Sequence, residues 1–339
     1  MSVDLGQYLD AVPEAVVRRL CDARRILAVG HENPDADTLG ATLAICRIME
    51  ALGAEAWPVN SDPIPPLYDY LPGIERIRQD PSEGVDYDLL VVSDCGSLDR
   101  VGAVRDRHTA LFESLPRVVI DHHASSATTA STDWIDPTSA ATCEMTALIA
   151  ARLGVPLTEG DGALATALMS GIVMDTATFA HPNATPRTLT VAAALVEAGA
   201  PLSDISRRLY RTKPEAQLRL FGRVLDRLQA AENGRLVWST LTDADLESTG
   251  ASPAHSEGII DLLAQAEDVD VAILFKEAEA KTRVSVRTRP NGVDATVLTG
   301  RFGGGGHARA AGATIDAGLD EAQRAVLAEA IRLLAGVAS

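Results

Sequence analysis

Two rhythms of apolar positions run along the first two hundred residues. Short β-branched runs, "RILAVG" (25–30), "AEAWPVN" (54–60), "YDLLVVSD" (87–94) and "PRVVIDHH" (116–123), alternate with longer stretches whose apolar residues recur at helical spacing, over 38–52, 139–153, 161–176 and 186–199. Runs so short and so evenly apolar read as strands covered on both faces, and their alternation with helices predicts a parallel sheet. Residues 200–232 are mostly helical and charged and read as a connector. A second pattern follows: strand "RLVWSTL", a helix near 256–265, strands "VDVAILFK" and "KTRVSVRTR", a glycine run, and a final helix around 320–335. The expectation is an α/β protein of two domains. Residues 1–199 form a helix-flanked parallel sheet, 200–232 a helical connector, and 233–339 a smaller mixed α/β domain.

Composition supports that division. A chain of 339 residues exceeds one ordinary core. With 46% hydrophobic but only 4% aromatic residues, the interior must rest on Ala, Val, Leu and Ile. The formal charge of −17 opposes long polyanions, and no basic stripe suited to duplex nucleic acid is evident. Cys21, Cys46, Cys95 and Cys143 form no CxxC pair, which argues against a zinc knuckle and for free thiols in a reducing compartment. "MSVDLGQYLDAVPEAVVRRL" lacks a signal peptide's order, and no apolar run reaches the ~18–20 residues of a membrane span. A cytoplasmic protein with no membrane partner is expected.

Chemistry gathers where the apolar runs stop. "GHENPDAD" (30–37) places His31, Asp35 and Asp37 after the first strand. Pro34 makes a regular helix through them unfavourable, so a strand-to-helix loop is expected, with Asp37 near the helix N-cap. Capping alone would account for these acids. Asp94 ends the third run, where a buried carboxylate is costly unless paired or metal-bound. Asp121, His122 and His123 end the fourth. Asp175, in "SGIVMDTATF", closes an apolar helix, where its charge opposes the helix dipole and calls for a nearby cation. Oxygen and imidazole donors without thiolate suit Mn²⁺, or less well Mg²⁺ and Fe²⁺. The carboxylates suffice to hold two cations ~3.5–4 Å apart, the spacing used in phosphoryl chemistry.

"HENPDAD", "SDCGS", "DHHASS" and "GIVMDT", in that order, resemble the four motifs of the DHH phosphoesterase superfamily. The resemblance implies a two-metal, usually manganese, phosphoesterase. His31, Asp35 and Asp94 would hold one ion and Asp37, Asp94, His122 and Asp175 the other, with water activated between them. His123 would face the scissile phosphate and Asp121 would orient the imidazoles. "GRFGGGGHARAAGA" (300–313) resembles the DHHA-type carboxyl-terminal signature, which implies substrate contacts from Gly304, Gly305, Gly306 and His307. In the strand upstream, Arg283, Arg287 and Arg289 share a face by period two. The resemblance gives the phosphate- or sugar-binding role to Arg287 and Arg289. An active-site cleft between the domains would follow.

The combination is most similar to the stand-alone nanoRNase and pAp phosphatase group. It implies short oligoribonucleotides of 2–5 nucleotides, pAp, pApA or cyclic di-AMP as substrates. A homodimer is compatible with the pattern. Ala41, Ser126 and "DTATF" depart from the family's usual residues and bear on substrate preference. His181 reads as a loop histidine. Two rival readings share the motifs: a family-II-like inorganic pyrophosphatase, and a non-catalytic cyclic-dinucleotide-binding protein.

Overall fold

The computed structural model describes residues 3–337, apart from 125, 127, 129 and 291, and excluding the side chain of Val337. It separates into two compact units, 1–212 and 213–339, so the division falls inside the stretch expected to be a connector.

The first unit is built on five strands: β1 (Arg25–Val29), β2 (Glu55–Val59), β3 (Leu89–Ser93), β4 (Arg117–Asp121) and β5 (Asp133–Ile135). All pair in parallel, in the order β2-β1-β3-β4-β5. Its helices are α1 (Glu14–Asp22), α2 (Ala36–Ala51), α3 (Ala103–Arg107), α4 (Thr109–Ser114), α5 (Thr142–Arg152), α6 (Ala163–Asp175), α7 (Pro186–Glu197) and α8 (Leu202–Ser206), the last running into a π-helical turn, Arg207–Arg211. Strand residues alternate between two cores. Ile26, Ala28, Leu89, Val91, Val118 and Ile120 pack towards α2, α5 and α6. Leu27, Val29, Leu90, Val92 and Val119 pack towards Tyr87 and Phe112 on the other side. The expected parallel sheet, covered on both faces, is present; β5, only three residues long, carries too little pattern to be read in advance.

Strand order fixes where a ligand belongs. From β1 the chain passes outward to β2 and then returns to β3 on β1's other side. A crevice therefore opens at the carboxyl ends of β1 and β3. His31 follows β1 by two residues and Asp94 follows β3 directly.

The second unit carries a mixed six-stranded sheet, ordered β10-β11-β9-β8-β7-β6. Its strands are β6 (Gln229–Ala231), β7 (Leu236–Leu241), β8 (Val271–Ala278), β9 (Lys281–Thr288), β10 (Gly305–His307) and β11 (Ala310–Ile315). Only β7 and β8 pair in parallel. Helices α9 (Glu215–Asp226), α10 (Asp243–Thr249), α11 (Ile259–Leu263), α12 (Ala295–Gly300) and α13 (Leu319–Val337) complete it. Along β8, Val271, Ile273 and Phe275 face one core, with Leu298 and Val326, while Ala272 and Leu274 face another, with Leu220 and Ile259. The expected connector is thus shared: α8 and the π-turn lie in the first unit, α9 and the strand β6 in the second. Among the described residues no single helix is long and apolar enough to cross a membrane.

Helices α2 and α6 are apolar on nearly every side because both are interior helices. They meet at glycine. A Cβ on Gly40 would fall closer than 3.0 Å to the Ala167 carbonyl oxygen, and one on Gly171 closer than 3.0 Å to the Asp37 carboxylate and Cys143 Sγ. Gly222, on an exposed face of α9, has nothing within 4 Å. Gly40→Ala is therefore expected to destabilise the protein by about 1–3 kcal/mol through overpacking. Gly222→Ala should be neutral or stabilise by up to about 1 kcal/mol. Urea denaturation of the two variants checks the contrast.

Candidate metal centre

Asp35 is the N-cap of α2: its Oδ1 accepts from the amides of Asp37 (2.9 Å) and Thr38 (3.0 Å). Its Oδ2 remains directed at His31, 4.0 Å from Nε2. Capping and ligation use different oxygens, so neither reading of this acid excludes the other. Asp37 lies two residues after the cap, near it as expected, in the first turn of α2, and is wholly buried. Its carboxylate accepts from the amides of Thr142 (2.7 Å) and Cys143 (2.9 Å), at the positive start of α5.

Asp94 leaves β3 in the left-handed region, φ 58°, a conformation Asp tolerates better than most residues. Its oxygens accept from the hydroxyls of Thr38 (2.8 Å) and Thr142 (3.1 Å). Around it stand His31 Nε2 at 3.3 Å, His122 Nε2 at 3.6 Å and His123 Nδ1 at 3.6 Å. His122 Nε2 also faces Asp175 at 2.9 Å and Asp37 at 3.9 Å. Three clusters result: His31–Asp35–Asp94, Asp37–His122–Asp175 and Asp94–His122–His123. Asp94 belongs to two of them.

Ring orientation is set from behind. His31 Nδ1 donates to the Glu32 carbonyl at 2.6 Å and His122 Nδ1 to the Ser139 carbonyl at 3.4 Å, leaving both Nε2 atoms for the carboxylates. His123 Nδ1 donates to Asp121 at 2.7 Å. Asp121 is fully buried and also accepts a short hydrogen bond from Ser126. The fit there is tight: a Cβ on Gly96 would fall closer than 3.0 Å to both Ser126 and Asp121.

Electrostatics make the crowding visible. Burial first, then the charges of Asp94 and Asp175, push the Asp37 carboxyl well above its ordinary range. Asp175 is raised as well, chiefly by burial, although His122 pulls the other way. For Asp94 burial is outweighed by its bond to His31 and the charges of the three imidazoles, so it stays ionised below the usual carboxylate range. Burial would lower His122, but Asp175, Asp37 and Asp94 lift it to about 10. Protons thus stand where negative charge needs an answer. The donors are carboxylate oxygens and imidazole nitrogens alone, because burial and Asp37 hold the adjacent Cys143 thiol protonated. That set fits hard or borderline divalent cations.

All eight acids and imidazoles expected from the sequence converge here. Sequence reasoning missed the residues that hold them: Thr38, Thr142, the Ser139 carbonyl, and Asn60, which donates to the His31 carbonyl at 2.9 Å. Thr142, a polar residue opening an apolar helix, was the available signal. His181 lies in a loop as expected, and its Nδ1 donates to the Asp175 carbonyl at 3.2 Å.

In the second unit, Arg287 and His307 both stand opposite Ala310 of β11, one on each side, so antiparallel register sets the three in one row on one face of the sheet. Arg287 pairs with Asp261 at 2.8 Å. Arg289 lies beyond the end of β9, so the expected three-arginine row stops at Arg287. Gly305 and Gly306 belong to the strand β10. Gly304 and Gly306 are required by backbone approach, since a Cβ on either would fall closer than 3.0 Å to β11.

Residues 25–172 match the DHH family, N-terminal domain, and 233–336 match the DHHA1 domain. A protein of Thermus thermophilus named bifunctional oligoribonuclease and PAP phosphatase NrnA is 34% identical over 89% of this chain and 87% of its own. The chain belongs to the DHH family. A like-named protein of Bacillus subtilis is 26% identical to this DHH chain over 87% of it and 90% of the relative. The crystal structure of an exopolyphosphatase-related protein from Bacteroides fragilis shares the fold, with a TM-score of 0.82, 20% identity, and coverage of 98% of this chain and 97% of that one.

One local departure of this DHH chain is strained. After Asp175, Ala177, Thr178 and Phe179 have φ of 47°, 59° and 62°, three left-handed residues in succession. Thr176 holds the turn: its Oγ1 accepts from the Phe179 amide at 2.9 Å and its carbonyl from Ala180 and His181. Replacing Ala177 by glycine removes the Cβ penalty but loosens the unfolded chain. Ala177→Gly is expected to stabilise by about 0.5–1 kcal/mol net, and a rise in thermal midpoint checks it.

Proposed function

We propose that this chain is a manganese-dependent phosphoesterase that hydrolyses short nucleotides, with oligoribonucleotides of about 2–5 units, pApA and pAp as its substrates. As a DHH enzyme it is a hydrolase of phosphate esters. The observation that carries the reading is Asp94, buried and shared between a cluster with His31 and Asp35 and another with His122.

His31, Asp35 and Asp94 would hold one divalent cation, and Asp37, Asp94, His122 and Asp175 the other. Bound together, such ions lower the pKa of water and neutralise charge on a phosphoryl group. The chain's own residues supply the rest. The Glu32 and Ser139 carbonyls accept from Nδ1 of His31 and His122, so that with the Nε2 protons displaced both rings would offer Nε2 to a cation. His123, whose side chain is 37% exposed, keeps Nδ1–H on Asp121 and presents its other nitrogen to substrate. Arg287, His307 and the backbone of Gly304, Gly305 and Gly306 would bind the substrate's phosphate or sugar, with Arg289 contributing beyond the strand. For Arg287 to do so, its pairing with Asp261 must be exchanged for, or shared with, an anion.

Both relatives named above as oligoribonuclease and PAP phosphatase support this substrate class. A panel of pAp, pApA, a trinucleotide, cyclic di-AMP and pyrophosphate, with Mn²⁺ or with chelator, tests it. Mononucleotide release from pApA and phosphate release from pAp, both lost with chelator, are expected. Turnover of pyrophosphate alone, or nucleotide binding without product, would overturn the proposal. Asp94→Asn should lower kcat by more than about a hundredfold, because one change disturbs both clusters. Steady-state kinetics on pApA checks it.

A further inference from the structure

Glu144, in the first turn of α5, is fully buried. Its Oε1 accepts from Arg187 Nε at 2.5 Å, and its Oε2 from the Thr188 hydroxyl at 2.7 Å and the Ala140 amide at 3.2 Å. Arg187, from α7, extends Nη2 to Asp136 Oδ2 at 2.9 Å, and the Arg187 and Asp136 side chains are each only 16% exposed. A buried carboxylate–guanidinium–carboxylate set is a poor way to stabilise a fold. Its desolvation can outweigh its attraction, and apolar replacements of such sets are often neutral or stabilising. The placement of this one gives it other work.

Asp136 and Glu144 bracket the segment that supports the metal centre from behind. That segment delivers the Ser139 carbonyl to His122, the Thr142 and Cys143 amides to Asp37, and the Thr142 hydroxyl to Asp94. Its first residue donates its amide to the Asp121 carbonyl at 3.0 Å. The His122–Ser139 bond, at 3.4 Å, sits at the long end of the hydrogen-bond range, so a shift of a few tenths of an ångström in the segment would break it. One planar guanidinium ties both ends of the segment to α7, and its fixed fork gives it a geometry that an ammonium lacks.

We infer that Arg187 is a positioning residue: by clamping Asp136 and Glu144 it holds 136–144 where Ser139 aims His122 and where Thr142 and Cys143 meet Asp94 and Asp37, and so sets the site's affinity for divalent cations. The inference rests on the metal-centre reading but makes a separate claim. Mn²⁺ titrated into metal-free protein, followed by calorimetry, together with thermal melts, tests it on wild type, the double variant Glu144→Met/Arg187→Met, and Arg187→Lys. The double variant, in which Thr138 still donates to Asp136, should remain folded yet bind Mn²⁺ about 10–100-fold more weakly. Arg187→Lys, which keeps the charge and loses the fork, should weaken binding in the same direction and carries the test if the double variant does not fold. A merely structural brace would lower the melting temperature and leave the folded variants within about twofold of wild type in Mn²⁺ affinity; that result overturns the inference. Absence of Mn²⁺ binding by wild type would sink the metal-centre reading itself, and this inference with it.

Discussion

Mutual repulsion among buried carboxylates governs the first unit. Asp37, Asp94 and Asp175 all lie within 4 Å of one imidazole nitrogen, with Asp37 and Asp94 removed from water. Gathered negative charge of this kind survives folding only if protons, hydrogen-bond donors or cations answer it. The chain uses backbone and hydroxyl donors for the part that must be permanent: the start of α5 for Asp37, and Thr38 and Thr142 for Asp94. Protonated imidazole and a raised Asp37 carry the remainder. Protons are exchangeable, so the remainder is the part a divalent cation can take over. The distinction between permanent and exchangeable compensation separates a binding site from a merely well-satisfied polar core.

Such a cluster can be assembled only where backbone elements end together. Strands β1 and β3 end side by side at the reversal of strand order, which brings His31 and Asp94 into range without long loops. The glycine contacts of α2 and α6 bring Asp37, near one helix's start, against the helix whose last residue is Asp175. Asp175 is there despite the helix dipole, since the C-terminal end of α6 disfavours a negative charge. His122 Nε2, 2.9 Å away, offsets that penalty, and the left-handed turn that follows reverses the chain at once. Packing of small residues and site electrostatics are here the same constraint, because a wider spacing of the two helices would separate the acids.

Much of this was legible in the sequence. Parallel strands buried on both faces leave an uninterrupted β-branched run, and a charged residue ending such a run is conspicuous, which is why Asp94 and Asp121 stood out. Asp175 was visible for the opposite reason, as a charge placed against a dipole. What escaped was carried by groups without a side-chain signature. The Ser139 carbonyl and the Thr142 and Cys143 amides are backbone, and any residue there supplies them. Short elements such as β5 and α12 escaped because three to six residues cannot display a period. How the stretch 200–232 is shared between the units was not legible for another reason: an amphipathic charged helix such as α9 reads alike whether it links domains or packs within one, and only the burial of Leu220, Phe221 and Val224 places it in the second. The resemblance implied substrate contacts from the glycine run; Gly304 and Gly306 are in addition required by close approach to β11. A glycine's absence of side chain does not announce which neighbour needs the room.

Net charge bears on substrate length. At −17 the protein repels a polyanion at long range, but fields in salt fade over about 8–10 Å. Inside that distance, cations bound by the carboxylates would dominate, and a phosphate held there feels attraction whatever the rest of the surface carries. Each further phosphate along a polymer lies farther from those ions and closer to the protein's own negative field. The attraction is therefore gained once while the repulsion accumulates with length. An acidic protein whose buried carboxylate cluster holds cations would thereby disfavour long chains, a bias in the same direction as the proposed substrate of a few nucleotides.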